Sequence, residues 1–526
     1  MTRLPDLDTL TLAEQVAQMV VVRASGYLFD HQIQYPDWEP PAQKLRDWLE
    51  LGVGGVILVG GSAGELALRT QQLQTWAKIP LLVAADIEEG VGQRFTGATW
   101  FPPPMAIAAL HRQAANTAQD YAAQMGAITA QEALAIGINW VLAPVVDVNN
   151  NPDNPVINVR AFGETPEEVS QLATAFIQGA KAYPVLTTAK HFPGHGDTAT
   201  DSHLDLPVLP HSPARLAEIE LPPFKTAIAS GVDAVMSAHL LIPCWDVERP
   251  ATLSKQILTQ QLRDKLGFEG LIVTDALVMG AIANHYDANL APVLAVEAGA
   301  DILLMPVNPV GAIQAVCDAV AKGQISPEQI RSSVERIWRA KLKVCSPSIK
   351  LGVIEDCTAV SITSQLSLPS ATATVTQILQ KTKKVYGPVP LRQIPAGEVW
   401  HNLIVVDNLL ACDFLSIQAP AIALPKERGY ITQLCDLHTP PYSEDRPTLL
   451  QLFIRGNPFR GSAGLNQVAQ ELLQKLLASK LQALLVYGNP YVIEQFFPLP
   501  PELPCIFSFG QMPDAQALAL KTLFSV

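Results

Sequence analysis

A lysine, three histidines and two aspartates crowd into the fourteen residues from Lys190 to His203, KHFPGHGDTATDSH, together with Pro193, Gly194 and Gly196. Ionisable groups at this density make a poor core, because each charge needs a partner or water. Imidazoles and carboxylates are suited to moving protons, while proline and glycine fix unusual backbone turns. The segment reads as one short active-site loop. Asp201 and His203 lie two apart, so in an extended segment both side chains project the same way. Asp201 then orients the imidazole and supports its protonated form. A second carboxylate, Asp275, closes the apolar run of IVTDALVMGAI. Taken alone it fits a helix N-cap. Held on a rigid strand end opposite an acid–base loop, it is suited to attack an anomeric carbon and form a covalent glycosyl intermediate. A second group must then protonate the leaving oxygen and later activate water. His191, His195, Asp197 and His203 also have the residue types of a metal site, but Lys190 in the same run repels a cation. We therefore expect neither a metal nor a cofactor.

These groups need a frame. Short apolar, β-branched runs recur through the first 345 residues: MVVVRA (19–24), GGVILVG (54–60), PLLVAAD (80–86), NWVLAPVVDV (139–148), VLTTAKHF (185–192), DAVMSAHLL (233–241), GLIVTDAL (270–277) and DILLMPV (301–307). Near-continuous runs of this kind fit parallel strands buried on both faces. Amphipathic stretches lie between them. The stretch 166–183 opens after Thr165 as N-cap with Glu167 and Glu168 in its first turn, and 326–343 opens Ser-Pro-Glu. Eight strand–helix units predict a (β/α)8 TIM-type barrel over residues 1–345. Asp86, Asp147, Lys190 with His191, His239 and Asp275 all fall near carboxyl ends of the expected strands, which a barrel gathers on its reactive face. Residues 346–380 read as a linker. A second α/β pattern follows over 381–526, with strand-like WHNLIVVDN, TLLQLFIRGNPF, LQALLVYGNP and PCIFSFG around a helix at 465–480. Its Leu465, Val468, Leu472 and Leu476 share one helical face, and the whole reads as a smaller doubly wound α/β sandwich domain.

Composition narrows the function. With 48% hydrophobic and 16% charged residues, the 526-residue chain is that of a well-buried soluble protein. A net charge of −13 argues against non-specific nucleic-acid binding and against an anionic membrane surface. No apolar window is long enough for a membrane span, and the acidic start is unlike a signal peptide. Seven scattered cysteines without a CxxC pair suggest buried, reduced thiols in a cytoplasmic protein. The expected partner is a small carbohydrate substrate; nothing bears on oligomeric state.

The loop K-H-F-P-G-H-G, followed by four residues and D-S-H, resembles the β-N-acetylglucosaminidase branch of glycoside hydrolase family 3, in its two-domain form. The similarity runs over roughly residues 10–345 and includes LAPVVDVNNNPDNPVINVRAFGET (142–165), the strand carrying His239, PATLS (250–254) and VTDAL. The resemblance implies a hydrolase, a retaining exo-β-N-acetylglucosaminidase (β-N-acetylhexosaminidase type) acting on muropeptides or chitooligosaccharides, as in peptidoglycan recycling. It further implies Asp275 as nucleophile, His203 as acid/base and Asp201 as its partner. Asp86, Arg94, Arg160, Lys190 and His191 are implied to hold the terminal N-acetylglucosamine. One stretch departs from the pattern. Relatives read D-x-E-G-G-R-V-x-R where this chain has DIEEGVGQR (86–94), so Glu89 replaces a glycine, Val91 an arginine and Gly92 a valine. A reshaped loop is expected there. The competing functions are a β-N-acetylglucosaminide phosphorylase, a broad β-glucosidase, and a sugar-binding protein on a degenerate barrel.

Overall fold

Eight parallel strands form the first sheet: β1 Val20–Ser25, β2 Gly55–Val59, β3 Leu82–Ala85, β4 Trp140–Val141, β5 Leu186–Phe192, β6 Ala234–Ser237, β7 Leu271–Val273 and β8 Leu303–Leu304. The computed structural model describes residues 4–345, 362, 364–441, 446–456, 461–478, 480–496 and 498–525. Each strand pairs with the next, β8 pairs with β1, and a parallel bridge from Val273 to Ile302 joins the remaining edge. The sheet is a closed (β/α)8 barrel. All eight expected runs contain a strand, because their Val, Leu, Ile and Ala side chains are buried on both faces.

Local sequence sets the connections. Thr11 and Glu14 cap the first helix reciprocally, with Thr11 N donating to Glu14 Oε2 at 2.9 Å and Glu14 N to Thr11 Oγ1 at 3.3 Å. Thr165 caps the helix Pro166–Ala180 through Glu168 N, as its sequence predicts. The seam between β7 and β8 is stapled by the buried carboxylate of Asp301. It accepts from Ile272 N at 2.9 Å and Ser333 Oγ at 2.8 Å, and pairs with Arg263 at 2.7 Å and Arg336 at 3.0 Å. Four donors on one buried carboxylate make its desolvation tolerable.

The chain divides into two compact units. The barrel unit holds residues 1–101, 116–151 and 161–372; the second holds 102–115, 152–160 and 373–526. In the second unit, β9 Lys384–Tyr386, β10 His401–Val405, β11 Ile431–Cys435, β12 Thr448–Ile454, β13 Leu481–Gly488 and β14 Cys505–Ser508 form a sheet ordered β11-β10-β12-β13-β14-β9. All pairs are parallel except β14 with β9. Its core gathers Trp400, Leu449, Phe453, Tyr487 and Leu520, and a buried polar seam runs from Asn402 through Gln451 to the Tyr487 hydroxyl. The helix Gln467–Leu477 buries Ala469, Leu472, Leu473 and Leu476. Leu465 precedes its cap, Asn466, rather than sharing the helical face.

Two further expectations change. The stretch read as linker runs into the helix Pro369–Thr382, and residues 346–361 and 363 of it lie outside the described residues. Of the cysteines among the described residues, only Cys435 and Cys505 are buried; Cys244 is exposed. Among the described residues no helix is long and apolar enough to cross a membrane.

Candidate active site

Lys190, His191 and Phe192 are the last residues of β5, not loop residues, so the reactive segment begins on a rigid strand. Buried Lys190 reaches back to β3. Its Nζ lies 2.7 Å from Asp86 Oδ1 and 2.6 Å from Glu88 Oε1. Arg94 is exposed, and its Nε donates to the Asp86 carbonyl at 3.1 Å. Asp86, Glu88, Lys190 and Arg94 thus form a charged group at the carboxyl ends of β3 and β5.

The departure at 86–94 has a plain structural resolution. The left-handed backbone in this loop falls on Gly90, with φ +87°, and not on Glu89. Glu89 is buried instead, with its Oε2 accepting from Trp100 Nε1 at 3.0 Å. Gly92 sits where a Cβ would meet Ala98 O at 2.3 Å, so a larger residue does not fit this version of the loop. Asp86, Glu88 and Arg94 are grouped by Lys190 and by the Arg94 contact to the Asp86 carbonyl.

Asp147 organises the middle of the site. One oxygen accepts from His191 N at 3.1 Å and His195 N at 2.7 Å; the other lies 2.7 Å from His191 Nδ1. Burial alone raises this carboxyl's pKa, but His191 and His195 outweigh burial and lower it. The His195 ring is fully enclosed, with Nδ1 2.8 Å from Thr198 Oγ1 and Nε2 3.1 Å from Ser202 Oγ. Burial holds this imidazole down to about 4, against the pull of Asp147, so it is neutral at ordinary pH. It ties the strand end of the segment to Ser202, beside the Asp201–His203 pair.

Asp201 and His203 do pair, with His203 Nδ1 2.9 Å from Asp201 Oδ1. The backbone between them is a turn, not the extended segment expected. Asp201 Oδ1 also accepts from His203 N at 2.9 Å, and the Asp201 carbonyl accepts from Leu204 N and Asp205 N. An aspartate side chain that captures amides just ahead of it favours turns over strands. The turn is pinned to the segment after β7, where Gly280 N and Ala281 N donate to the His203 and Ser202 carbonyls.

Asp275 lies just past β7 and is half-buried. It caps its own chain, accepting from Ala276 N at 2.8 Å. Burial pushes its pKa up, but His239, His191 and His203 outweigh it and leave the carboxyl at about 2. Asp275 is therefore an anion whose charge His239, His191 and His203 favour. His239, just after β6, touches Ala276 O through Nε2 at 3.0 Å and Thr252 Oγ1 through Nδ1 at 2.8 Å. Since Nε2 faces a carbonyl it carries the proton, and burial lowers this histidine's pKa as well.

All the expected site residues but Arg160 lie in the barrel unit. Arg160 belongs to the second unit, where its Nη1 donates to Val156 O at 3.1 Å. Three residues that complete the site were not among those expected to act: Glu88, Asp147 and His239. The sequence puts Asp147 and His239 at strand ends on the reactive face without giving them a role, and Glu88 has only its place two residues after Asp86 to mark it. The four groups with metal-ligand chemistry are otherwise engaged: His191 with Asp147, His195 with Thr198 and Ser202, Asp197 with His211 and Arg215, and His203 with Asp201.

Comparison with known proteins agrees with this geometry. The profile of the glycosyl hydrolase family 3 N-terminal domain matches residues 11–340, and that of the bacterial glycosyl hydrolase family 3 C-terminal domain matches residues 393–525. A β-hexosaminidase A from Pseudoalteromonas piscicida is 35% identical over 353 residues, covering 62% of this chain and 57% of that protein. A β-hexosaminidase from Tolumonas auensis is 39% identical over 267 residues, covering 50% and 78% of the two chains. Among solved structures, a family 3 β-N-acetylglucosaminidase from Paenibacillus superposes with a TM-score of 0.78 at 29% identity, covering 98% of this chain and 97% of that one. With the barrel profile spanning more than half its length, and the second domain matched as well, this chain belongs to glycosyl hydrolase family 3.

Proposed function

We propose that the protein is a retaining exo-β-N-acetylglucosaminidase that releases terminal N-acetylglucosamine from small β-linked glycans such as chitooligosaccharides or muropeptides. The observation that carries this is the placement of the Asp275 carboxylate just past β7, with His203 held by Asp201 at 2.9 Å on a turn tied to the segment after Asp275 through Gly280 N. In the first step a carboxylate oxygen of Asp275 bonds to the anomeric carbon as the glycosidic C–O bond breaks. The leaving oxygen takes the proton of the His203 imidazolium, whose charge Asp201 stabilises. In the second step neutral His203 takes a proton from water. The resulting hydroxide oxygen bonds to the anomeric carbon and Asp275 leaves as carboxylate, restoring the β configuration. Ion-paired Lys190, Asp86 and Glu88, with Arg94 and His191, present fixed donors and acceptors to the sugar hydroxyls. Arg160 is assigned to the same sugar by family resemblance. The names of the relatives, β-hexosaminidase and β-N-acetylglucosaminidase, support the substrate class.

One feature favours phosphorolysis as a second reading. The group opposite the nucleophile is an imidazole rather than a carboxylate, so it repels an incoming phosphate less. A single experiment decides among the readings: identify the products from N,N′-diacetylchitobiose and from the matching glucoside, with and without phosphate. Hydrolysis predicts free N-acetylglucosamine regardless of phosphate. Sugar 1-phosphate would replace the first reading by the second. Faster turnover of the glucoside would make the enzyme a broad β-glucosidase, and binding without turnover a sugar-binding protein.

A further inference from the structure

A second pocket opens in the barrel unit over the ends of β8 and β1, and no step of the proposed reaction uses it. Its walls include Trp38, Trp48, Pro40, Pro306, Met305 and Val278. Val278 lies three residues beyond Asp275, so the pocket shares a wall with the nucleophile's own loop. Met305 follows β8 directly and holds a left-handed backbone, φ +49°, in a residue other than glycine. Strain of that kind persists where surrounding structure enforces it, and it concentrates at ligand sites.

The chemistry of the pocket points to a neutral ligand with a flat apolar side. Arg23 is locked to buried Glu39, with Nη2 at 2.9 Å and Nε at 3.1 Å from the same oxygen. Its guanidinium also lies 4.9 Å from the centre of the Tyr35 ring and 5.4 Å from that of Trp38. That charge is spent within the protein. At the rim Lys44 rests over Trp48, 5.2 Å from the ring centre, and Asp37 lines the same pocket with the opposite charge. With cations and anions cancelling, the pocket selects neither phosphate nor carboxylate. Indole and proline surfaces instead match the C–H face of a pyranose, and Lys44 and Asp37 offer hydrogen bonds to its hydroxyls.

We propose that this pocket binds the aglycone sugar of the substrate, with Trp38 against the C–H face of that second pyranose. The inference rests on the reading of the protein as an exo-β-N-acetylglucosaminidase. The test compares N,N′-diacetylchitobiose with N-acetyl-β-glucosaminyl fluoride, whose leaving atom is too small to enter the pocket. Trp38→Ala should raise KM for the disaccharide by about five- to tenfold, as loss of a buried aromatic contact implies, with kcat little changed. Turnover of the fluoride should stay within about twofold, because no contact to the departing group is lost. Trp38→Phe should restore most of the affinity. Trp38→Leu keeps apolar bulk without a flat ring and serves if the alanine variant fails to fold; it should show the same split. Equal losses on both substrates, or no loss on the disaccharide, would overturn the pocket assignment and leave the reaction intact. Failure of the wild-type protein to turn over either compound would instead overturn the parent reading, and the pocket assignment with it.

Discussion

Lys190 and Lys341 are both buried, and the barrel treats them in opposite ways. Lys190, at the end of β5, is held between Asp86 and Glu88 at 2.7 and 2.6 Å. Lys341, in the helix Pro327–Cys345, pairs with no carboxylate among the described residues and donates to Gln18 Oε1 at 2.6 Å, near the start of β1. Burial pushes the Lys341 ammonium down to about 7, so near neutral pH it gives up much of its charge. At the reactive face, by contrast, ionisable groups are paired: Lys190 with two acids and Asp147 with His191. Matching preserves groups that must meet a polar substrate. Away from that face, a lone buried cation is more readily neutralised than paired.

Removing the central charge tests this contrast most severely. Asp275→Ala should lower kcat by about 10³-fold or more, as loss of a covalent nucleophile implies. Near-normal turnover of an aryl N-acetylglucosaminide by that variant would exclude Asp275 from the role. Next in size is His203→Ala, for which a loss of about 10²- to 10⁴-fold is expected on disaccharides. Aryl substrates with good leaving groups should suffer less, since they need less protonation; uniform losses would remove His203 as the proton donor.

The two lysines then bear the comparison directly. Lys190→Met strands the buried Glu88 carboxylate, so stability should fall by about 3 kcal/mol, with Asp86 contributing little because it is partly open to solvent. Denaturant unfolding measures this, and an unchanged midpoint would show the ion pair to be dispensable. Lys341→Met should act in the other direction, stabilising by about 1–3 kcal/mol at pH 6–7. The sign follows from proton uptake. The folded-state pKa lies near 7 and the unfolded value near 10.5, so unfolding binds a proton between those limits. That contribution to wild-type stability is full above pH 10.5 and is lost as pH falls toward 7. The difference in melting temperature between variant and wild type should therefore shrink as pH rises from 7 to 10. A difference independent of pH would mean that Lys341 stays charged in the fold.

Much of this was legible in the residues. The barrel strands announced themselves because a strand covered on both faces needs an unbroken apolar run. The Lys190–His203 segment stood out because so many ionisable groups cannot be packed without a purpose. The edge strands β9 and β11 went unread, since a strand paired on one side only needs little apolar sequence and much of theirs is exposed. The backbone at Asp201–His203 was misread because alternation along a strand and capture of amides by an aspartate compete over so short a span. Likewise the substitutions at 86–94 pointed to a reshaped loop, but not to Trp100 as the partner of Glu89.

Residue types and spacing alone determined which side chains could carry the chemistry and that a parallel barrel would present them. Only the tertiary structure decided their partners: Asp147 for His191, Glu88 for Lys190, His239 beside Asp275. Periodicity in one strand is a local property set by burial, whereas an ion pair or a lowered pKa depends on distances between strands far apart in the chain. Those distances exist only once the barrel has closed.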